Sequence, residues 1–213
     1  MSADRIKIYG VPISRAIRNI WMALELDAPY DNVAIGWSDN SIYGDAYKRI
    51  NPNARVPSLQ SGDLVMWESL AINLYLARKF GGPLAPKTAE EEALAWQWSF
   101  WAAAELEQPL IRWAFNTFIN EPAKRDAKAA AAAWAEVEPR LTVLDGCLAK
   151  SPYLAANRFT VADLNVAAVL LRSRQHLDLA GKSNLKRWLG AVFDRPKARQ
   201  AVQIREDAAR ALS

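Results

Sequence analysis

Residues 5–9, Arg-Ile-Lys-Ile-Tyr, alternate polar and apolar, which predicts a β-strand with one buried face. Past Gly10-Val11-Pro12-Ile13, apolar side chains recur at Ile17, Ile20, Trp21 and Leu24. That is the i, i+3, i+4, i+7 stripe of a helix, with Ser14 placed to cap it. A second strand is predicted over residues 30–35, then a polar loop over 36–40 and a short or irregular helix over 43–50. Two short apolar runs, residues 56–59 and 64–67, flank Ser61-Gly62-Asp63 and read as a hairpin. A helical pattern opens at Ser69 and stops at Lys79-Phe80-Gly81, with a cation in its last turn and glycine just past its end. The order βαβ, helix, ββ, helix predicts a mixed four-stranded sheet with helices on its faces.

The pattern then changes. Gly81-Gly82-Pro83-Leu84-Ala85-Pro86-Lys87 reads as a linker, and nothing after it has strand periodicity. Thr88-Ala89-Glu90-Glu91 has the form of a capping box opening a helix that carries Trp96, Trp98, Trp101, Leu106 and Leu110 and should kink at Pro109. Glu121-Pro122 is expected to start the next helix, which holds an alanine tract over 129–133 and should bend or break at Pro139. At Phe159-Thr160-Val161-Ala162-Asp163-Leu164, Thr160 and Asp163 are spaced to cap one another, with Phe159 and Leu164 as the apolar staple. Asp163 is therefore expected to be structural. The division predicted is an α/β domain over 1–80, a linker over 81–88 and an all-α domain over 89–213.

Composition narrows the chemistry. A chain of 213 residues can bury a substantial core as one large domain or two small ones. No apolar run reaches the length of a membrane span, and Met1-Ser2-Ala3-Asp4-Arg5 leads into a strand instead of a signal peptide. The net charge of +4, with no basic run interleaved with aromatics, does not suggest nucleic acid and mildly favours an anionic small ligand. Cys147 is the single cysteine, so an intramolecular disulfide is excluded and a reducing, cytoplasmic setting fits; in its helix it is expected to be a small buried hydrophobe. His176 is the single histidine, which speaks against a histidine-rich metal site or a Ser-His-Asp triad. No glycine-rich phosphate loop is present. No metal is expected.

The hairpin concentrates the candidate chemistry. Pro57 opens its first strand, so that edge lacks a ladder donor; were the Val56-Pro57 bond cis, the Val56 amide and carbonyl would be turned out toward an extended peptide. Its second strand ends at Glu68-Ser69, where a hydroxyl and backbone N–H groups at a helix start suit a carboxylate.

Asn51-Pro52, Val56-Pro57, Glu68-Ser69 and the following Ala71-Ile72 and Tyr75-Leu76 closely resemble the glutathione-binding half of the soluble glutathione transferases. Phe159-Thr160-Val161-Ala162-Asp163 and the segment from Trp188 to Pro196 resemble the helical domain of the same family, so the resemblance spans nearly the whole chain. It implies a thioredoxin-like N-terminal domain followed by an all-α C-terminal domain, with glutathione as co-substrate. Carried onto this sequence, Val56 pairs backbone-to-backbone with the cysteinyl unit, Glu68 and Ser69 hold the γ-glutamyl ammonium and carboxylate, and Arg55 faces the glycyl carboxylate or is a solvated surface group. Ser14, with the Ser-x-x-x-Arg spacing to Arg18 of the serine-type classes, is the candidate donor to the thiolate. Tyr9 is the alternative hydroxyl, and Arg15 and Arg18 could add positive potential.

Lowering a thiol pKa from about 8.5 to about 6.5 raises the thiolate fraction at neutral pH roughly 25-fold, but each thiolate becomes roughly 8-fold less nucleophilic. Acceleration must therefore come largely from holding an electrophile beside the sulfur. Pro12 and Ile13, together with Trp101, Trp113 and Phe115, are the expected walls for a small hydrophobic electrophile. The resemblance also implies a homodimer. Two other functions remain open: a non-catalytic binding or carrier module, and glutathione-dependent thiol-disulfide exchange, which needs a cysteine where Ser14 stands. Asn53-Ala54 departs from the family pattern, in which a glycine commonly precedes Val-Pro, and the 37–40 loop lacks the Lys or His that several classes direct at the glycyl end.

Overall fold

The computed structural model describes residues 5–211; the opening Met1 to Asp4, read above as leading straight into the first strand, lies outside them. By packing, the chain falls into two compact units, one formed by the residues up to Pro86 with those from Phe193 on, the other by Lys87–Val192.

The first unit is built on a four-stranded sheet of β1 (Ile6–Tyr9), β2 (Tyr30–Val33), β3 (Ser58–Ser61) and β4 (Leu64–Trp67), in the order β2-β1-β3-β4. β1 pairs parallel with β2 and antiparallel with β3, which pairs antiparallel with β4, the mixed arrangement expected of a crossover followed by a hairpin. Central β1 buries Ile6 and Ile8 completely, whereas edge strand β4 leaves Leu64, Val65 and Trp67 exposed. The hairpin turn is tighter than predicted: Ser61 pairs with Leu64, and Gly62 supplies the positive φ of +60° that the two-residue loop requires.

Helix α1 (Ala16–Glu25) buries Ile17, Ile20 and Trp21 as its stripe predicts. Its N-cap residue is Arg15, not Ser14; the Ser14 hydroxyl instead accepts the Ala16 N–H from one position further out, at 3.1 Å. The irregular stretch before the hairpin is a 3₁₀ turn, Ser41–Tyr43, and one turn of helix, α2 (Asp45–Lys48). Helix α3 (Ser69–Phe80) ends at Gly81, whose φ of +69° stops it as predicted.

The second unit is helical: α4 (Ala89–Trp101), α5 (Glu107–Ala114), α6 (Ala127–Leu148), α7 (Val161–Leu170) and most of α8 (Ser183–Phe193). Between α4 and α5 runs a π-helical turn, Ala102–Leu106, ahead of Pro109, where the carbonyl that the ring displaces must find another donor. Two expectations are revised here. Glu121-Pro122 opens only a 3₁₀ turn, Pro122–Lys124; α6 begins later, where Asp126 accepts the N–H groups of Lys128 and Ala129 at 2.8 and 3.0 Å. Pro139 does not break α6, which runs on through it. The buried stripe Val137, Leu141, Leu144 and Leu148 keeps the helix continuous against the roughly 3 kcal/mol cost of an internal proline.

The expected division assigned residues 89–213 as a whole to the helical domain. By packing, α9 (Pro196–Arg210) sides with the first unit, along α1. Arg195 grips the Glu25 carboxylate through Nε and Nη2 at 3.0 and 2.6 Å, Lys197 reaches Asp27 at 2.6 Å, and Phe193 lies on Trp21. Among the described residues no helix is long and apolar enough to cross a membrane.

Candidate glutathione site

Ser14 and Val56, two of the residues singled out, meet where the loop after β1 passes the loop before β3. Gly10 sits between them with a φ of +134°, a conformation that L side chains rarely adopt. A β-carbon there would lie 2.8 Å from that of Ala16, 3.1 Å from that of Val56 and 3.3 Å from Ser14 Oγ. The Ser14 hydroxyl and Val56 are therefore neighbours across this one glycine. Ser14 Oγ donates to the Val11 carbonyl at 2.6 Å while accepting the Ala16 N–H, so its proton is engaged by its own loop.

The Val56-Pro57 bond is cis. The Val56 side chain is buried in a cluster with Tyr9, Ile42 and Tyr47, yet neither its N–H nor its carbonyl makes a hydrogen bond among the described residues. These two backbone groups form an unpaired peptide edge just before β3 begins at Ser58. The preceding loop is tightly tied. Asn51 Nδ2 and the Tyr47 hydroxyl both donate to the Arg55 carbonyl, at 2.7 and 2.8 Å, and Asn51 Oδ1 accepts the Asn53 N–H at 3.0 Å. Ala54 carries the backbone conformation for which the family pattern uses glycine, with a φ of +49°. The Arg55 side chain is exposed.

At the start of α3, Glu68 is the N-cap residue, with a φ of +74°, an exposed side chain and no side-chain capping bond. Ser69 is buried beneath it. Its hydroxyl accepts a hydrogen bond from Arg18 Nη1 at 3.2 Å, and its carbonyl accepts one from Asn19 Nδ2 at 2.8 Å. Asn19 also donates to Asn73 Oδ1 at 2.7 Å, so α1 and α3 are joined through buried polar groups. Arg18 is thus no exposed source of general positive potential; it lies 7% exposed against the first residue of α3. This bond escaped the sequence reading, although Ile17, Ile20, Trp21 and Leu24 define the apolar face of α1 and position 18 falls beside it.

Tyr9, the last residue of β1, packs with Ile42, Tyr47 and Val56 and gives its hydroxyl proton to Gln60 Oε1 at 2.8 Å, and burial pushes its pKa up. Its proton is thus engaged by a neighbour, as that of Ser14 is by the Val11 carbonyl.

Family models identify both halves: one described as "Glutathione S-transferase, N-terminal domain" matches residues 5–78, and one described as "Glutathione S-transferase, C-terminal domain" matches residues 106–196. The chain belongs to the glutathione S-transferase family. It is 28% identical over 204 residues to the glutathione S-transferase GstB of Escherichia coli K12, spanning 93% of this chain and 98% of GstB. Human glutathione S-transferase theta-1 is 29% identical over 168 residues, 75% of this chain and 69% of that protein. The solved theta-class enzyme of Xanthomonas axonopodis pv. citri, with glutathione bound, is 29% identical and superimposes with a TM-score of 0.86 over 95% of this chain and 98% of that one.

In the transferase's helical unit the candidate aromatic residues have unequal surroundings. Trp113 is buried, tilted against Trp134 with ring centres 4.9 Å apart and edge-on at 5.6 Å to Phe118. Trp101 is half-buried, edge-on to Trp98. Phe115 is 40% exposed, with the Arg172 guanidinium 5.8 Å above its ring. Ile13, in the first unit, is half-buried beside Ser14. Cys147 is half-buried, not the fully buried hydrophobe expected.

Asp163 has the structural setting anticipated for it and more. Its carboxylate accepts the Thr160 N–H and hydroxyl at 3.0 and 3.1 Å, and it also takes the Leu154 N–H at 3.0 Å and the Trp188 indole N–H at 2.9 Å. Burial is the largest influence on its pKa and raises it, outweighing those four donors, which pull it down.

Proposed function

We propose that this transferase binds glutathione along the Val56 edge and the start of α3, ionises its thiol beside Ser14 and conjugates it to a small hydrophobic electrophile. The observation that carries this reading is the shared vicinity of Ser14 Oγ and Val56 across Gly10. A cysteinyl unit paired with the Val56 N–H and carbonyl has its sulfur next to the one loop hydroxyl available. The γ-glutamyl ammonium then falls to Glu68 and its carboxylate to Ser69 and the α3 amides, where the helix dipole favours an anion. Arg55, exposed and one residue ahead of Val56, is assigned to the glycyl carboxylate.

Ser14 must release the Val11 carbonyl to serve the thiolate. Breaking one neutral hydrogen bond costs about 1 kcal/mol, and a charge-assisted bond to the thiolate returns about 1.5–3 kcal/mol, so the exchange is favourable only once the ligand is ionised. The Ala16 N–H continues to orient the oxygen. In the first unit Ile13 adjoins Ser14; in the helical unit, described by itself, Phe115 keeps the most surface of the three candidate aromatics, whereas Trp113 is spent on its own core. A homodimer in a reducing, cytoplasmic setting accompanies the reading. The exposed apolar side chains of β4, and of Trp96 and Phe100 on α4, supply surface for self-association, which the sedimentation mass decides.

The deciding experiment titrates the thiolate absorbance of the glutathione complex in parent, Ser14→Ala and Tyr9→Phe proteins, alongside turnover of an aryl halide. In Ser14→Ala the midpoint rises by about 1–2 pH units, equivalent to roughly 1.4–2.7 kcal/mol, with little change in glutathione affinity. A midpoint that moves only in Tyr9→Phe, or in neither, removes Ser14 from the mechanism. Normal binding without turnover of any electrophile in the parent leaves a carrier module.

A further inference from the structure

Tyr47, on α2, carries a phenol to which the proposed chemistry assigns no part. It is 2% exposed, its ring sits in the cluster with Tyr9, Ile42 and Val56, and its hydroxyl oxygen lies 2.8 Å from the Arg55 carbonyl oxygen and 2.8 Å from Ser58 Oγ. A phenol has one proton. The carbonyl can only accept, so that proton goes to Arg55, and the phenol oxygen takes the Ser58 hydroxyl proton in return. Burial pushes the Tyr47 pKa up, which keeps the donor protonated throughout the neutral range.

The Arg55 carbonyl and the Val56 N–H belong to one planar peptide unit and point in opposite directions. Whatever fixes that carbonyl oxygen therefore also fixes the direction of the Val56 N–H. Tyr47 and Asn51 both hold the oxygen from the protein side, and the N–H on the far side of the same plane has no partner among the described residues. We propose that Tyr47 is a positioning residue for glutathione: through the Arg55 carbonyl it aims the Val56 N–H at the cysteinyl carbonyl of the bound peptide. This rests on the assignment of Val56 to the cysteinyl unit. A phenylalanine would fill the same space in the cluster, so the hydroxyl is separable from the ring.

Calorimetry on Tyr47→Phe tests it with two ligands. The first is glutathione. The second is γ-glutamylcysteamine, which keeps the γ-glutamyl unit and the thiol but has no cysteinyl carbonyl for the Val56 N–H to meet. Tyr47→Phe raises the glutathione Kd about 3–10-fold, the size of one hydrogen bond, and changes the γ-glutamylcysteamine Kd less than twofold, with the thiol titration midpoint unmoved. Equal weakening of both ligands marks a merely structural role, and unchanged affinity for both marks none; either overturns the proposal. Loss of the fold in Tyr47→Phe does so too, because the hydroxyl would then serve the fold itself. Glu68→Gln, run in parallel, separates the two readings. If it leaves both ligands unaffected, the assigned glutathione site is wrong and Tyr47 falls with it. If it weakens both while Tyr47→Phe fails to discriminate, only the role of Tyr47 is lost.

Discussion

The starts of α3 and α7 use the same chemistry for opposite ends. Each places a carboxylate and a hydroxyl at a helix N-terminus, Glu68 with Ser69 and Asp163 with Thr160. At α7 both are turned inward. Asp163 and Thr160 satisfy one another's backbone, and the Asp163 carboxylate gathers donors from Leu154 and Trp188 besides. At α3 the carboxylate is exposed on a residue with positive φ and caps nothing, while the hydroxyl is held from below by Arg18. A helix start that spends its polar groups on its own chain contributes stability. One that leaves its carboxylate unspent in a strained conformation has given up some of that stability, which is why the γ-glutamyl ammonium is assigned to it in the proposed function.

Asp163→Ala is the largest test of this contrast. The substitution strands the N–H groups of Leu154, Thr160 and Trp188 in a buried setting, which costs about 3–5 kcal/mol in the urea or thermal midpoint. The folded fraction should keep the parent's glutathione Kd and specific turnover. Parental stability combined with lost turnover would make Asp163 a chemical group and abolish the distinction drawn between the two helix starts.

The reverse result is expected at α3. Glu68→Gln should raise the glutathione Kd about tenfold, the equivalent of about 1.4 kcal/mol, because one charge-assisted bond to the ammonium is lost. Its thermal midpoint should stay within about 0.5 kcal/mol of the parent's, since the side chain is exposed and caps nothing. Ser69→Ala should weaken binding by a similar factor but also lower stability modestly, because it takes an acceptor from the buried Arg18. Unchanged affinity in both variants would leave the α3 start an unremarkable helix end.

These sites differ in how far the sequence revealed them. The Thr160–Asp163 pair was legible because a capping box is local, with both partners inside one turn. The crossover and hairpin were legible for the same reason: alternation and turn residues fix the pairing of neighbouring strands. What escaped were bonds between distant segments. Trp188 reaching Asp163, Arg18 reaching Ser69 and Arg195 reaching Glu25 have no periodicity to announce them. Propensity misled at Pro139, where the stripe from Val137 to Leu148 outweighs a single breaker, and at Glu121-Pro122, where Asp126 proved the stronger start signal. In the candidate site, the residues were nameable from motif order and the turned-out Val56 backbone from the Val-Pro pair, but the phenol behind it depends on how loops pack.

The start of α4 is intermediate and sharpens the comparison with a smaller effect. Thr88 Oγ1 accepts the Glu91 N–H at 3.2 Å, as a capping box requires, but Glu91 does not return the bond to Thr88. Its carboxylate takes the Lys87 N–H at 2.8 Å and two bonds from Arg158 at 2.8 and 2.7 Å. Arg158 foremost, and the Lys87 amide next, hold its pKa down to about 2, against 4.5 for a free glutamate. A carboxyl with a depressed native pKa stabilises fully above its unfolded value and loses that contribution as pH falls toward the native one. The window here runs from about 4.5 down to about 2. The pair lies at the surface, with side chains 20% and 27% exposed, so screening limits its worth to about 1 kcal/mol. Glu91→Gln should therefore unfold at lower urea than the parent at pH 7 by about that amount, and the gap should shrink steadily between pH 4.5 and 3. A gap that stays constant over that range would mean that the charge on Glu91 contributes nothing. The α4 start would then hold by the Thr88 cap alone, like α7 in kind but with only one of its two reciprocal bonds.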